Sequence, residues 1–321
     1  MISSLVRITA YLVLIGVIAL TLFRGAAFVR ESSEVPHPEN GVFVSTPSGA
    51  IHVLNSGPES GTPLLLAHGS AAWSGFWADE IALLDEAGFR AHAFDMPPFG
   101  FSERARDGDY SRPRQAQRIL ELVEAMEIQP ILIAHSFGGA AAAEAVLMKP
   151  DAFRGLILID AALGMLPSPP EAALPQILRP ILFREAAVSL TVTNPLVTGM
   201  LLRSLLHNKE AATDSELDVL RYPLGRPDTT SAVAEWLPSL LSPRTDTLSR
   251  NPESYRDLSL PVEIIWGDKD TVTPPSQAEA LSIALGQGPV TYLADTGHIP
   301  HIEAPEAFAE ALLAAIARIS Q

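Results

Sequence analysis

Apolar residues along this chain fall into two kinds of run, one long and unbroken, the others short and punctuated. The unbroken one is Ile8 to Phe23, ITAYLVLIGVIALTLF, sixteen residues without a charge, preceded by Arg7 and followed by Arg24 and Arg30. A membrane-spanning helix needs about 20 apolar residues, and Met1 to Val6 with a snorkelling Arg7 bring the segment to that length. Residues 1–30 are therefore read as a single-pass N-terminal membrane anchor. A cleaved signal peptide is the rival reading, because Gly25, Ala26 and Ala27 are small enough for a signal peptidase. Arg7 competes with Arg24 and Arg30 under the positive-inside tendency, and the reading leans to a main domain on the extracytoplasmic side.

Residues 31–40, ESSEVPHPEN, hold two prolines and no apolar period, and predict a linker. From Gly41 the short runs begin. VFVSTPSGAIHV reads as a hairpin and Leu64 to Ala67 as a buried strand. Helical spacing then predicts helices over Phe76–Ala87, Pro113–Ile128 and Phe137–Met148, alternating with strands at Ala91–Phe94, Ile131–Ala134 and Leu156–Ile159. The rhythm resumes late in the chain with a strand at Val262–Trp266, a helix over Ala278–Leu285, a strand at Val290–Leu293 and a final helix bearing Phe308, Leu312, Ile316 and Ile319. Such alternation implies an α/β domain, a mostly parallel sheet with helices on both faces, built from residues 41–160 and 261–321. Between them, residues 161–260 show no convincing strand. They carry helical spacing at Leu174, Ile177, Leu178, Ile181 and Leu182 and again at Val233, Trp236, Leu237, Leu240 and Leu241, with Pro180 and Pro238 expected to shorten or kink those helices. This segment is an inserted helical cap.

Composition narrows the function. The 321 residues include 22 Lys+Arg against 37 Asp+Glu, a formal charge of -15, which argues against a nucleic-acid partner because a phosphate backbone needs cations to displace its counterions. With no cysteine, disulfides, thiolate metal sites and cysteine nucleophiles are all excluded.

The sharpest local signal is Ile131-Leu132-Ile133-Ala134-His135-Ser136-Phe137-Gly138-Gly139, an apolar strand running through one serine into an alanine-rich helix. Small neighbours at Ala134 and Gly138 allow a tight strand-to-helix turn that exposes the hydroxyl at a helix N-terminus, where backbone N–H groups favour developing negative charge. The competing role for Ser136 is an ordinary helix N-cap. A serine nucleophile needs a base, normally a histidine oriented by a carboxylate. Asp268 and Asp270 follow one late strand and His298 the next, while Asp160 follows the strand before the insert. In a parallel sheet these strand ends share one edge, so they can converge on Ser136. An oxyanion hole needs two N–H donors. The Ser70 N–H, after Leu66-Ala67-His68-Gly69, and the Phe137 N–H, directly after the serine, are the candidates.

From about Val42 onward the chain resembles a capped member of the α/β-hydrolase superfamily, through His68-Gly69, Asp95-Met96-Pro97-Pro98-Phe99-Gly100-Phe101-Ser102, His135-Ser136-Phe137-Gly138-Gly139, Gly267-x-x-Asp270-x-x-x-Pro274 and Gly297-His298. One departure is Ala134, where the family usually has glycine. The resemblance implies Ser136 as nucleophile, Asp270 as acid, His298 as base, Ser70 and Phe137 as the oxyanion hole and the insert as a lid. Asp268 is then a solvated turn residue, Asp95 and Ser102 stabilise a turn, and His68 and His135 are packed or hydrogen-bonded neighbours. His301 and Glu303 beside His298 lack a second ligand cluster, so no metal is expected, and no cofactor. Trp236, Met200 and Leu201 are the insert residues expected to line the cleft.

The implied activity is a serine carboxylesterase working through an acyl-enzyme on a small-molecule ester with an apolar acyl or alcohol group. The same resemblance admits C–C bond hydrolases of ring-cleavage products, perhydrolases and acyltransferases. The C–C hydrolases tend to carry Trp after the histidine, where this chain has Ile299. From another class, a tethered, catalytically silent binding scaffold is the remaining alternative.

Overall fold

The computed structural model describes residues 2–165, 174–242, 244 and 246–321. The first part of the expected cap, residues 166–173, lies outside the described residues, as do Met1, 243 and 245.

The chain starts with helix α1, Ile2–Glu31, and the hairpin β1, Gly41–Thr46, and β2, Gly49–Ser56. There follow β3 Pro63–Ala67, α2 Ala78–Glu86, β4 Arg90–Phe94, α3 Arg112–Ala125, β5 Ile131–His135, α4 Ser136–Met148 and β6 Gly155–Ile159. The insert holds α5 Ile181–Leu190, α6 Thr198–Leu205, α7 Asp214–Arg221 and α8 Thr229–Leu241. The core closes with β7 Val262–Gly267, α9 Pro275–Ala284, β8 Val290–Leu293, the single turn α10 Pro300–Glu303 and α11 Pro305–Ile319. Among the described residues, eight strands form one sheet in the order β1-β2-β4-β3-β5-β6-β7-β8. Only β2 runs against its neighbours; every pairing from β4 to β8 is parallel.

The central strands β3, β5 and β6 are apolar up to His135 at the end of β5 because both faces are covered. Successive side chains on a strand alternate between faces, so Leu65, Leu132, Ala134, Leu156 and Leu158 pack with α3, α4 and α9. Leu64, Leu66, Ile131, Ile133, Ile157 and Ile159 pack on the other side with α2 and α11. Any one-residue slip would still bury these strands, so the register is held by their termini: Ala67 pairs with Ala134 and His135 with Ile159. Strands β3, β5, β6 and β7 thereby end side by side, and the loops after them open on one edge.

Two expectations for the insert change. Pro180 starts a helix rather than interrupting one, since it sits at the N-cap of α5, where its missing N–H costs nothing. Pro238 does lie inside α8, and α6 and α7 were not foreseen. Those two helices are only eight residues each, and a window of that length holds too little apolar period to stand out.

The N-terminal helix is long and apolar enough to cross a membrane. Its lower end is docked, however. Leu20, Phe23 and Arg24 are partly buried and Ala27 and Glu31 are buried, a stripe at helical spacing that faces the cap. Arg24 Nε meets Glu185 Oε2 of α5 at 3.3 Å, Thr230 of α8 donates its N–H to Glu31 Oε1 at 3.1 Å, and Arg30 Nε donates to the Leu224 carbonyl at 3.0 Å. The segment after the helix is a strap laid on the same surface, with the Tyr222 hydroxyl donating to the Pro36 carbonyl at 2.8 Å. It reads as free in sequence because its contacts are made through backbone and cap side chains, not through an apolar pattern of its own.

Candidate active site

Ser136 is the first residue of α4 and has φ +52°. A non-glycine residue in this left-handed region is strained by roughly 1 to 3 kcal/mol and survives only where its surroundings enforce it. Here the helix start is pressed against the end of β3. A Cβ on Gly138 would come within 2.5 Å of the His68 carbonyl oxygen, and one on Gly69 within 2.8 Å of His135 Nδ1 and 3.3 Å of the Ser136 Cβ. Only glycine fits at either position, and the two segments carrying Ser70 and Phe137 are thereby held beside the serine. Among the described residues neither the Ser70 nor the Phe137 N–H has a hydrogen-bond acceptor, and both residues line the same cavity.

Strand ends β7 and β8 bring in the other groups. Ser136 Oγ lies 2.8 Å from His298 Nε2, and His298 Nδ1 lies 2.8 Å from Asp270 Oδ2. A carboxylate can only accept, so Nδ1 carries the proton and Nε2 is the acceptor facing the serine hydroxyl. Asp270 Oδ1 accepts from the Val272 N–H at 2.7 Å and the Thr273 N–H at 3.0 Å, and Oδ2 accepts from the Thr273 hydroxyl at 2.5 Å. Burial opposes ionisation of Asp270, but the His298 hydrogen bond and charge, with Thr273 and Asp160, outweigh it and hold the carboxyl below its ordinary range. Asp160 shows the opposite balance. Its burial and the nearby Asp270 charge push its pKa well up, which favours the protonated form, and its Oδ1 accepts the Gly267 N–H at 3.0 Å. Asp268 faces outward, paired with Lys269 at 2.7 Å.

Ligand atoms of Asp160, Asp270 and His298 lie within 4.8 Å of one another. The His298 Nδ1 proton is committed to Asp270, which occupies the lone pair a metal would need. Glu303 and His301 do not turn toward His298. Glu303 Oε2 accepts the N–H groups of His207 and Asn208 at 2.7 and 2.8 Å and its Oε1 that of Ile299 at 3.3 Å, clamping the end of α6 to the His298 loop. His301 is stacked on Trp77, centroids 4.6 Å apart, and burial, with His298, pulls its pKa down to about 3. His135 donates from Nε2 to the His298 carbonyl at 2.7 Å and is kept neutral by burial, then by His298 and His301. His68 donates from Nδ1 to the Gly69 carbonyl at 2.7 Å while Nε2 accepts the Met96 N–H at 2.9 Å. Asp95 takes the Ser74 and Phe101 N–H groups, both at 2.6 Å, and the Ser102 hydroxyl donates to the Asp95 carbonyl at 2.7 Å.

Above these groups lies a cavity of about 610 Å³, within the usual range for small-molecule sites. Ser136, His298, Ser70 and Phe137 line it from the core, and Leu201, Leu202, Leu205, Leu220 and Leu224 from the cap. Of the three expected cap contacts, only Leu201 is there. Trp236 is 1% exposed and packs edge-on against Phe99, 4.9 Å between centroids, and Phe137, 5.7 Å, so it braces the oxyanion candidate instead of facing the cleft. Met200 points outward and is 65% exposed. Both sit on apolar helix faces, and spacing alone cannot tell which neighbour covers a face. Thr273 and Glu303 as clamps, and Arg112, Arg244 and Arg250 on the cavity wall, were not anticipated. A threonine three residues after Asp270, ahead of a proline, is the one local signal of an Asp-capped turn that sequence offers.

The family model for the α/β hydrolase fold matches residues 62–305. The chain belongs to that family. A 2-hydroxymuconate semialdehyde hydrolase of Pseudomonas putida is 29% identical over 259 residues, 78% of this chain and 85% of its own length. Among solved structures, a bacterial membrane phospholipase A is similar over 100% of both chains with a TM-score of 0.67 and 22% identity. A thermophilic esterase from Thermogutta terrifontis is similar over 88% of this chain and 99% of its own, with a TM-score of 0.68 and 20% identity. At these identities the two structures speak to the fold of this α/β hydrolase, and its chemistry must be argued from its own residues.

Proposed function

We propose that this α/β hydrolase is a membrane-anchored serine carboxylesterase. The observation that carries the reading is the chain of two 2.8 Å contacts from Ser136 Oγ through His298 to Asp270, opening on an apolar cavity beside two N–H groups without acceptors. In the first step His298 Nε2 takes the hydroxyl proton as Ser136 Oγ bonds to the ester carbonyl carbon. The carbonyl oxygen becomes an oxyanion held by the Ser70 and Phe137 N–H groups, each worth ~3 to 4 kcal/mol in such a role. Collapse expels the alcohol, which receives the proton from His298, and leaves an acyl-Ser136. Water activated by His298 then attacks the same carbon, and the acid and free serine result. Asp270 keeps Nδ1 protonated and stabilises the imidazolium.

Retention of the N-terminal helix is supported by its docked stripe. Removal after Ala27 would discard Arg24, the partner of Glu185, and a segment destined for cleavage has no need of such a partner. Intact-mass measurement of the membrane-extracted protein tests this; a chain starting near Phe28 would refute it.

Hydrolysis of p-nitrophenyl esters from acetate to palmitate, with wild type and Ser136→Ala side by side, tests the chemistry. Ser136→Ala is expected to lose at least ~10³-fold in kcat and all labelling by a fluorophosphonate, with an unchanged melting temperature. Retained turnover would overturn the mechanism. The 29% identical relative supports a second reading, hydrolysis of a C–C bond in a ring-cleavage product. Turnover of such a dienoate with no turnover of any ester would favour it.

A further inference from the structure

The cap carries an apolar surface that the catalytic reading does not use, and its position relative to α1 gives it a partner. Hydrogen bonds set the register of three helices. Glu31 at the end of α1 meets Thr230 at the start of α8, and Thr230 Oγ1 lies 2.9 Å from Thr193 Oγ1 just beyond the end of α5. Further along, Arg24 meets Glu185, and Arg184 donates to the Ala234 carbonyl at 2.8 Å. Thus α1 and α5 run in the same direction and α8 runs against them. The start of α5 and the end of α8 both lie toward the apolar, N-terminal part of α1.

At that level the cap does not become polar. Ile181, Leu182 and Phe183 at the start of α5 are 41%, 65% and 44% exposed, and Leu240 and Leu241 at the end of α8 are 47% and 38% exposed. At 1.5 Å per helical residue, they stand roughly 2 to 10 Å beyond the Arg24–Glu185 and Arg184–Ala234 contacts, beside α1 residues Val17 to Phe23. The exposed apolar residues of the cap and of the N-terminal helix are therefore one continuous collar around the point where α1 leaves the domain. Contiguous apolar surface of this kind marks an interaction site. The cavity reaches the same place, since Pro238, Ser239, Leu240, Ser242 and Arg244 from the end of α8 line it.

We infer that this collar is seated in the surface of a lipid bilayer, so that the cavity opens to the membrane and takes its ester from there, as the acyl chain of a membrane amphiphile. The inference rests on the anchor reading of α1 above and adds that the cap itself is wetted by lipid. With a chain charge of -15, the contact is one of apolar burial, not attraction to anionic headgroups, and a zwitterionic bilayer suffices.

The absence of cysteine makes the test direct, because one introduced cysteine carries one label. Full-length chain with a fluorophore at Leu182→Cys, Leu241→Cys or Ile283→Cys is reconstituted into phosphatidylcholine vesicles and floated on a density gradient. Ile283, 69% exposed near the end of α9, lies at the opposite edge of the sheet and serves as the control. The labels at 182 and 241 are expected to be quenched by doxyl-labelled lipids at least threefold more than the label at 283. Equal quenching at all three positions in floated protein overturns the collar while leaving the anchor standing, and failure to float overturns both. Because quenching needs no turnover, its outcome is independent of the Ser136 chemistry. As a second readout, Leu182→Glu with Leu241→Glu is expected to slow hydrolysis of a vesicle-embedded long-chain ester about tenfold and to leave soluble p-nitrophenyl butyrate unchanged. Unchanged rates on both substrates would overturn supply from the membrane.

Discussion

The sheet edge and the cap that covers it are built by opposite rules. At the edge, two of the buried acidic groups are fixed several times over: Asp270 accepts four hydrogen bonds within 3.0 Å, and Asp95 joins the loops carrying Ser74 and Phe101. Among the described residues, the cap holds four α-helices of eight to thirteen residues with apolar side chains on both its inner and outer surfaces. Its polar ties to the rest of the chain run mostly to backbone and hydroxyl groups, among them the Glu303 clamp, the Trp73 indole N–H on the Val219 carbonyl at 2.7 Å, Arg104 on the Thr229 hydroxyl at 2.9 Å and Glu144 on the Ser249 N–H at 2.7 Å. Reaction chemistry tolerates displacements of only tenths of an ångström, so the edge is over-determined. Substrate choice depends on the shape of an apolar wall, which can be repacked without touching the chemistry.

The comparison breaks most completely at Asp270. Asp270→Asn keeps the shape but donates where a carboxylate accepted, favouring the wrong imidazole tautomer, and should cost roughly 10³ to 10⁴ in kcat. The pKa of Asp160 beside it is raised by burial and then by the Asp270 charge. With that charge gone, Asp160 should ionise more readily. A pH–rate profile of Asp270→Asn that rises more steeply with pH than wild type checks this, and the same variant with Asp160→Asn should lose the rise.

The seam between the two regions holds the next largest effect. Glu80 of α2 is buried there, near Asp79 and facing Glu216 of α7, and burial followed by these charges pushes its pKa from 4.5 up to about 8. A carboxyl that binds its proton more tightly when folded contributes stability that is fully present below pH 4.5 and is lost as pH rises through 8. Each unit of such a shift is on the order of 1.4 kcal/mol. Glu80→Gln should therefore melt several degrees higher than wild type at pH 9, differ little at pH 5, and flatten the decline between. Parallel melting curves at all pH values would remove Glu80 from the seam.

The same division explains what could be read from the chain. Strands β3, β5 and β6 were legible because burial on both faces leaves almost no polar position, and the three groups that meet at the candidate site, Ser136, Asp270 and His298, were legible as polar residues following β5, β7 and the short, half-exposed β8. Trp236 was misplaced because a large aromatic on a helix face announces burial but not its neighbour, here Phe137. Helices α6 and α7 were missed because the packing that stabilises them comes from Ala72, Phe76 and Ile299, far away in sequence. Glu303 was noticed beside His298 and weighed as a metal ligand, yet its partners are backbone N–H groups of the cap, which carry no side-chain signature.

That clamp supplies a test of how far the cap can move before the edge feels it. Glu303→Ala frees the His207 and Asn208 N–H groups and loosens the loop bearing His298. A fall of about tenfold in kcat, ~1.4 kcal/mol, is expected, with partial recovery in Glu303→Gln, which keeps one acceptor oxygen. A change in melting temperature with kcat intact would make the clamp purely structural.

The smallest effect should come from the cap wall itself. Leu201 lines the cavity on α6 one residue after the outward Met200, so its side chain helps set the width of the cavity. Leu201→Trp adds bulk to an apolar space of about 610 Å³ and should leave the acetate ester's kcat/KM within twofold, while lowering that of octanoate and longer esters by roughly five- to twentyfold, the 1 to 2 kcal/mol scale of an overpacked contact. Met200→Trp, one position away on the exposed side, is the matched control and should change neither. A uniform loss across all chain lengths in Leu201→Trp would mean that the wall and the catalytic edge are mechanically one unit, and the contrast between them would fail.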